Sequence, residues 1–109
     1  MANFKINFKH IDNWVNVYVN DLCIASHGSS GVSANQSVDI TKFLIKGDNT
    51  VRVDGVNYGP WRTANPFNFK YTITQDNTEI ASISQRSNVS KPTPGSSYVG
   101  ASSSLMIVV

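Results

Sequence analysis

Charge is scarce in this chain: Asp, Glu, Lys and Arg make up 15% of 109 residues, with nine bases against seven acids. The bases are scattered singly from Lys5 to Lys91, so there is no clustered stripe to neutralise phosphates, which argues against nucleic acid as a partner. Cysteine occurs once, at Cys23, which excludes an internal disulfide and a Cys-based zinc cluster. Its place in the apolar run Leu22-Cys23-Ile24-Ala25 reads as a small buried hydrophobe. A zinc site from His10, His27 and Cys23 would need three distant positions to converge without ligand spacing. Calcium needs only oxygen donors and would draw on Asp12, Asp54 or Asp48, but no acidic cluster marks a site and no cofactor is expected. Seven acids, mostly at turns, offer no pair of placed carboxylates for glycoside hydrolysis. Serine is so abundant that its presence near His27 does not signal a nucleophile, and the chain is read as a non-enzyme. No window approaches the ~18 apolar residues of a membrane span. The opening Met1-Ala2-Asn3-Phe4-Lys5 has no signal-peptide stretch, which predicts a cytoplasmic protein or one released by a route other than the general secretory pathway.

What is present is strand chemistry. Fourteen Ser, twelve Asn and seven Thr disfavour helix interiors and suit turns and open strand faces. Phe4, Ile6 and Phe8 alternate with polar residues, and so do Val15, Val17 and Val19 in Trp14 to Asn20. These two strands are expected to pair through the link His10 to Asn13. Asn20-Asp21 suits a hairpin turn with positive φ leading into a short strand over Leu22 to Ser26. Ser33 to Ile40 reads as a polar edge strand. Asp39 to Gly47 predicts a single helical turn, capped by Thr41 and stopped by Gly47, that plugs the core with Phe43 and Leu44. Thr50 to Val56 turns Val51 and Val53 inward, and Phe67, Phe69, Tyr71 and Ile73 give the strongest alternation.

Glu79 to Gln85 has no settled facing, because Ile80 and Ile83 differ in parity, as a bulge or an edge position would explain. Ser87 to Ser104 is rich in Ser, Gly and Pro and reads as a long connection. Leu105 to Val109 is a continuous apolar run that predicts a strand buried on both faces. The size suits a single domain over 1–109. About eight strands in this length predict an all-β, antiparallel two-sheet jelly-roll sandwich, with an immunoglobulin-type sandwich as the rival.

The connections are of two alternating kinds. Asn20-Asp21, Lys46-Gly47-Asp48-Asn49 and Gln75-Asp76-Asn77-Thr78 are tight. His27 to Ser33, Asn57 to Asn65 and Arg86 to Ser103 are long and carry Gly, Ser, aromatic and basic residues. Antiparallel neighbours place every second connection at one end, so one end is trimmed and the other elaborated, and elaborate loops on a scaffold are where binding usually resides. Sugars offer apolar C–H faces and fans of hydroxyls, which an aromatic platform with planar amide and guanidinium donors matches. Asn57, Tyr58, Trp61 and Arg62 supply that chemistry, with His27 and Tyr98 expected at the same end. Against this stands a structural reading, in which Trp61 is a lid on the core, Arg62 stacks on it or pairs with Asp54, and His27 is a solvated loop residue.

The segment Val38-Asp39-Ile40-Thr41-Lys42-Phe43-Leu44-Ile45-Lys46-Gly47-Asp48-Asn49-Thr50-Val51-Arg52-Val53 resembles a recurring part of galactose-binding-domain-like jelly rolls. There, a strand ending in Asp-x-Thr runs into a helical turn, a Gly-x-Asn turn and an alternating strand. Trp14 to Asp21 resembles the strand and turn that precede it, with Asp21 where Gly is commoner. The resemblance spans roughly residues 12 to 73. It implies a glycan ligand, as in lectins and carbohydrate-binding modules, although fold alone does not establish function. Two readings follow. One is a small non-catalytic lectin, homo-oligomeric because single sugar sites are weak and multivalency compensates. The other is an assembly module whose C-terminal run and Ser33 edge strand contact another protein by strand addition.

Overall fold

The structure is a computed structural model that describes residues 2–11, 14–28, 36–58, 65–89 and 97–109; for 28, 57, 58, 65–67, 87–89 and 97–100 it describes the backbone alone. Eight strands form: β1 (Phe4–Ile11), β2 (Trp14–Val19), β3 (Leu22–Gly28), β4 (Gln36–Asp39), β5 (Asp48–Tyr58), β6 (Asn65–Gln75), β7 (Thr78–Val89) and β8 (Ser97–Val108). They build two four-stranded sheets, β4-β1-β6-β7 and β3-β2-β5-β8, with every pairing antiparallel. β7 and β8, the edges of opposite sheets, meet along one side, where the Gln85 side-chain amide donates to the Ser102 carbonyl at 3.0 Å. Around the sandwich the strands therefore run β1-β6-β7-β8-β5-β2-β3-β4. β2 to β4 and β6 to β8 are runs of sequence neighbours, and β5 returns beside both β2 and β8. The order carries two Greek-key runs in an eight-stranded, antiparallel two-sheet sandwich, and it differs from the immunoglobulin grouping of strands. Among the described residues no helix is long and apolar enough to cross a membrane.

The period of two in the sequence sets the core. Phe4, Ile6, Phe8 and Ile11 from β1 and Phe69, Tyr71 and Ile73 from β6 face Val15, Val17, Val19, Val51, Val53 and Ile107 of the other sheet. β1 and β2 are thus not paired neighbours. Alternation shows that each strand has an apolar face and is silent on whether two such faces lie side by side or oppose; here they oppose, β1 pairing with β4 and β6, β2 with β3 and β5. The polar edge strand is realised as β4, and the Phe67, Phe69, Tyr71, Ile73 stripe lies on β6.

The helical turn is shorter than expected, a 3-10 helix over Thr41–Phe43 that ends in extended backbone at Leu44, while Gly47 takes φ 100° in the following turn. Thr41 does not cap it. Its hydroxyl oxygen accepts the Phe4 N–H at 2.8 Å, tying the turn to β1, and the Asp39 carboxylate accepts the Thr41 N–H at 2.9 Å. That bond holds the Asp39 carboxyl below its ordinary pKa. Leu44 is buried and Phe43 packs half-buried against the core, as its plugging role requires.

Edges account for the other departures. Cys23 is exposed, because β3 is an edge strand and its ladder slips between Val17 and Tyr18, leaving Ile24 as an extra residue. The parity conflict of Ile80 and Ile83 has the same cause. Ile73 pairs with Ala81 and Thr74 with Glu79, so Ile80 is the bulged residue and lies 47% exposed. Much of Ser87 to Ser104 is strand, since β5 continues to Tyr58 and offers β8 a ladder from Ser97 onward; the segment 90–96, with its prolines, lies outside the described residues. Leu105 to Val109 is not buried on both faces, because β8 closes no further sheet: Met106 is 61% and Val108 69% exposed.

Two hairpins carry left-handed turns, the expected one at Asn20-Asp21 with φ 50° and 67° and, in the tight turn of β6 and β7, Asp76-Asn77 at φ 49° and 67°, the geometry of a type I′ turn. A β-branched side chain resists positive φ by roughly 1–2 kcal/mol. Asn77→Val is therefore expected to lose about that much stability in denaturant titration and Asn77→Gly to lose nothing; equal stability of the two variants would contradict the turn assignment.

Candidate functional site

β2, β3, β5 and β8 reach one end of the sandwich together. Trp14 pairs with Gly28 on one side and Val56 on the other, Val56 pairs with Val99, Asn57 with Tyr98 and Tyr58 with Ser97. In the other sheet Ile11 pairs with Phe69, Phe8 with Gln36 and Asn65 with Val89 at the same end. The connections 12–13, 29–35, 59–64 and 90–96 all leave from this rim, while the tight turns lie at the other end. Direction reversal thus brings the backbone positions of Asn57, Tyr58 and Tyr98 into adjacent cross-strand rows, with His27 one row inside Trp14. Trp61 and Arg62 lie outside the described residues.

His27 is not a loop residue. β3 continues to Gly28, and His27 sits opposite Val15 on the inward face. Its ring lies 6.1 Å from that of Phe8 across the sandwich, tilted by 43°. Phe8 in turn packs 5.7 Å from Tyr71. A half-buried imidazole on this aromatic column packs against the core beneath the rim. His10 is likewise a strand residue, half-buried on β1 opposite Lys70.

The outer face of the β3-β2-β5-β8 sheet continues the rim downward. Trp14, Asn16 and Tyr18 of β2 pair with Val56, Asp54 and Arg52 of β5, and Asp54 and Arg52 pair with Ser102 and Ser104 of β8. The Arg52 guanidinium lies 4.1 Å from the Tyr18 ring centroid, a cation–π stack. Its Nε is 3.4 Å from Asp54 Oδ1 and its Nη1 3.5 Å from Asp21 Oδ1. The Ser102 hydroxyl donates to Asp54 Oδ1 at 2.6 Å, so among the described residues Asp54 is engaged by Arg52 and Ser102. Val56 is 7% exposed although it points away from the core, in a row with Trp14 and Val99.

Trp14 is absent from the candidates named from sequence. Its parity, opposite to Val15, Val17 and Val19, marks it as an outward aromatic at the end of a strand where the long connections begin, and that signal was readable. A separate open hollow of about 430 Å³, lined by Asp39, Thr41, Lys42 and Leu44, lies at the tight-turn end and gathers none of the aromatic and amide groups of the rim. Among the described residues no three His, Cys, Asp or Glu side chains group to hold a metal ion; Asp12 lies outside them. In comparisons with known proteins, no family model and no curated protein matches the chain.

Proposed function

We propose that this protein is a non-catalytic carbohydrate-binding module of the galactose-binding-domain-like kind, taking a glycan at the long-connection rim. The observation that carries the reading is the shared register of β2, β5 and β8, in which Trp14, Asn57, Tyr58 and Tyr98 occupy adjoining rows. Aromatic and amide residues carried at strand positions offer a sugar apolar and polar contacts on backbone that is already ordered, which lowers the entropy lost on binding. The connection carrying Trp61 and Arg62 springs from the end of β5 beside these rows. The acids support recognition over hydrolysis: Asp21, Asp39, Asp48, Asp76 and Glu79 all belong to the opposite end. Of the two remaining acids, Asp54 is held by Arg52 and Ser102, which does not suit it to the facing pair that hydrolysis uses.

Titration calorimetry with simple sugars tests the reading. A weak site is expected, with Kd on the order of millimolar. Trp61→Ala and Trp14→Ala are each expected to weaken it by about tenfold or more, equivalent to ~1.4 kcal/mol, with the fold retained. Unfolding of Trp61→Ala would identify a lid on the core, and silence of the unmodified protein toward every common monosaccharide would refute sugar binding.

A further inference from the structure

We infer that the edge of β8 from Ser104 to Val108, beyond the point where Gln85 of β7 reaches the Ser102 carbonyl, is a self-association seam, on which a second copy of this chain pairs antiparallel about a two-fold axis at Met106. The Val109 N–H donates to the Gly47 carbonyl and the Gly47 N–H to the Val109 carbonyl, at 2.9 and 2.8 Å. The Asn49 amide also reaches the Ile107 carbonyl from the β5 side at 3.4 Å. Antiparallel ladders alternate, so odd-numbered residues of this stretch face β5 and even-numbered ones face away. Ser102 conforms, its carbonyl taking the Gln85 amide from β7 at 3.0 Å. The N–H and C=O groups of Ser104, Met106 and Val108 are then aimed outward, and among the described residues nothing bonds them.

Such a row is a template for another strand unless something blunts it. The other three edges are blunted. β4 has four residues, β3 bulges at Ile24, and β7 bulges at Ile80 and carries Glu79 and Arg86. Ser102 to Val108 has no charge, no proline and no register shift, and its outer side chains Met106 and Val108 are 61% and 69% exposed.

A second copy fits because the row is complementary to itself. With the axis at Met106, Met106 faces its own counterpart and Ser104 faces Val108, so every outward N–H and C=O of the three residues finds a partner. The closure is isologous and stops at two. The register is set by Ser102, whose carbonyl is already engaged. Two exposed Met106 side chains become cross-strand neighbours, and no charged side chain of β8 enters the seam. The result is a continuous sheet, β3-β2-β5-β8 joined to its copy. The seam is small, so the dimer should form and dissociate with concentration. It lies toward the tight-turn end and does not depend on the rim's ligand.

Sedimentation velocity across a concentration series tests this on the full chain. A monomer–dimer equilibrium is expected, with Met106→Lys weakening it at least tenfold while circular dichroism and melting stay unchanged, since the position is exposed and two lysines would face each other. In a Cys23→Ser background, Met106→Cys should form an intermolecular disulfide under mild oxidation, because paired residues place their Cα atoms ~5.5 Å apart. Ser104→Cys should not, its counterpart lying about 14 Å away along the strands at ~3.4 Å per residue. A monomer at all concentrations, a dimer indifferent to Met106→Lys, or equal cross-linking through Ser104→Cys overturns the seam.

Discussion

Replacing Asn49 with alanine is expected to cost about 4 kcal/mol, the loss of several hydrogen bonds at roughly 1 kcal/mol each with buried partners left behind. For a domain of this size that lowers Tm by roughly 15 °C. Asn49 is fully buried. Its Oδ1 accepts the Ile45 N–H at 2.8 Å and the Asn20 amide at 2.9 Å, and its Nδ2 donates to the carbonyls of Ile45 at 2.7 Å and Gly47 at 3.1 Å. One amide thus joins the β2–β3 turn to the loop between the 3-10 helix and β5, and reaches β8 as well. Asn49→Asp keeps the acceptor and loses the donor while placing a charge in a buried site, so it should be no better than alanine. Urea denaturation measures both; a loss below ~1 kcal/mol for Asn49→Ala would show that water takes over the bonds.

Tyr71→Ala should be comparably damaging, about 3–5 kcal/mol for emptying a large core site. Tyr71 is fully buried on β6, and its hydroxyl lies 2.6 Å from the hydroxyl of buried Ser103 on β8, a polar bond between the two sheets. Tyr71→Phe keeps the packing and strands only Ser103, for a cost nearer 1–2 kcal/mol. The pair also sets an alkaline limit. Burial pushes the phenol pKa above its ordinary 10.0, with the Ser103 bond opposing. The folded state therefore holds the proton that the unfolded chain releases. The stability this contributes is whole below pH 10 and is lost as pH rises through the higher folded value. Urea titrations at rising alkaline pH should show Tyr71→Phe losing less than the parent; parallel losses would contradict the assignment.

Much of this was legible in the chain because a period of two survives in single residues. Val15, Val17 and Val19, or Phe69, Tyr71 and Ile73, announce a face, and Asn20-Asp21 and Asp76-Asn77 announce turns whose φ values follow from short polar side chains. Even the bulge at Ile80 left a trace, as a conflict of parity. Three things left none. Which faces oppose across a core is a long-range fact, so β1 and β2 read as partners. The serines of β8 have no apolar contrast, and their strand exists because β5 supplies a ladder. Exposure at an edge is invisible locally, which is why Cys23 and Met106 read as buried. For the site, reversal of direction was enough to gather the long connections at one rim, and extension of β3 to Gly28 turned His27 from a loop donor into a core-facing ring.

The most direct test of the rim is an amide-resolved NMR titration with a panel of monosaccharides and simple glycans. Shift changes concentrated at Trp14, His27, residues 57–65 and 97–99, with the Asn20-Asp21 and Asp76-Asn77 turns undisturbed, are the predicted result. Changes confined to the tight-turn end, or none with any sugar at millimolar concentration, would contradict a glycan-binding rim.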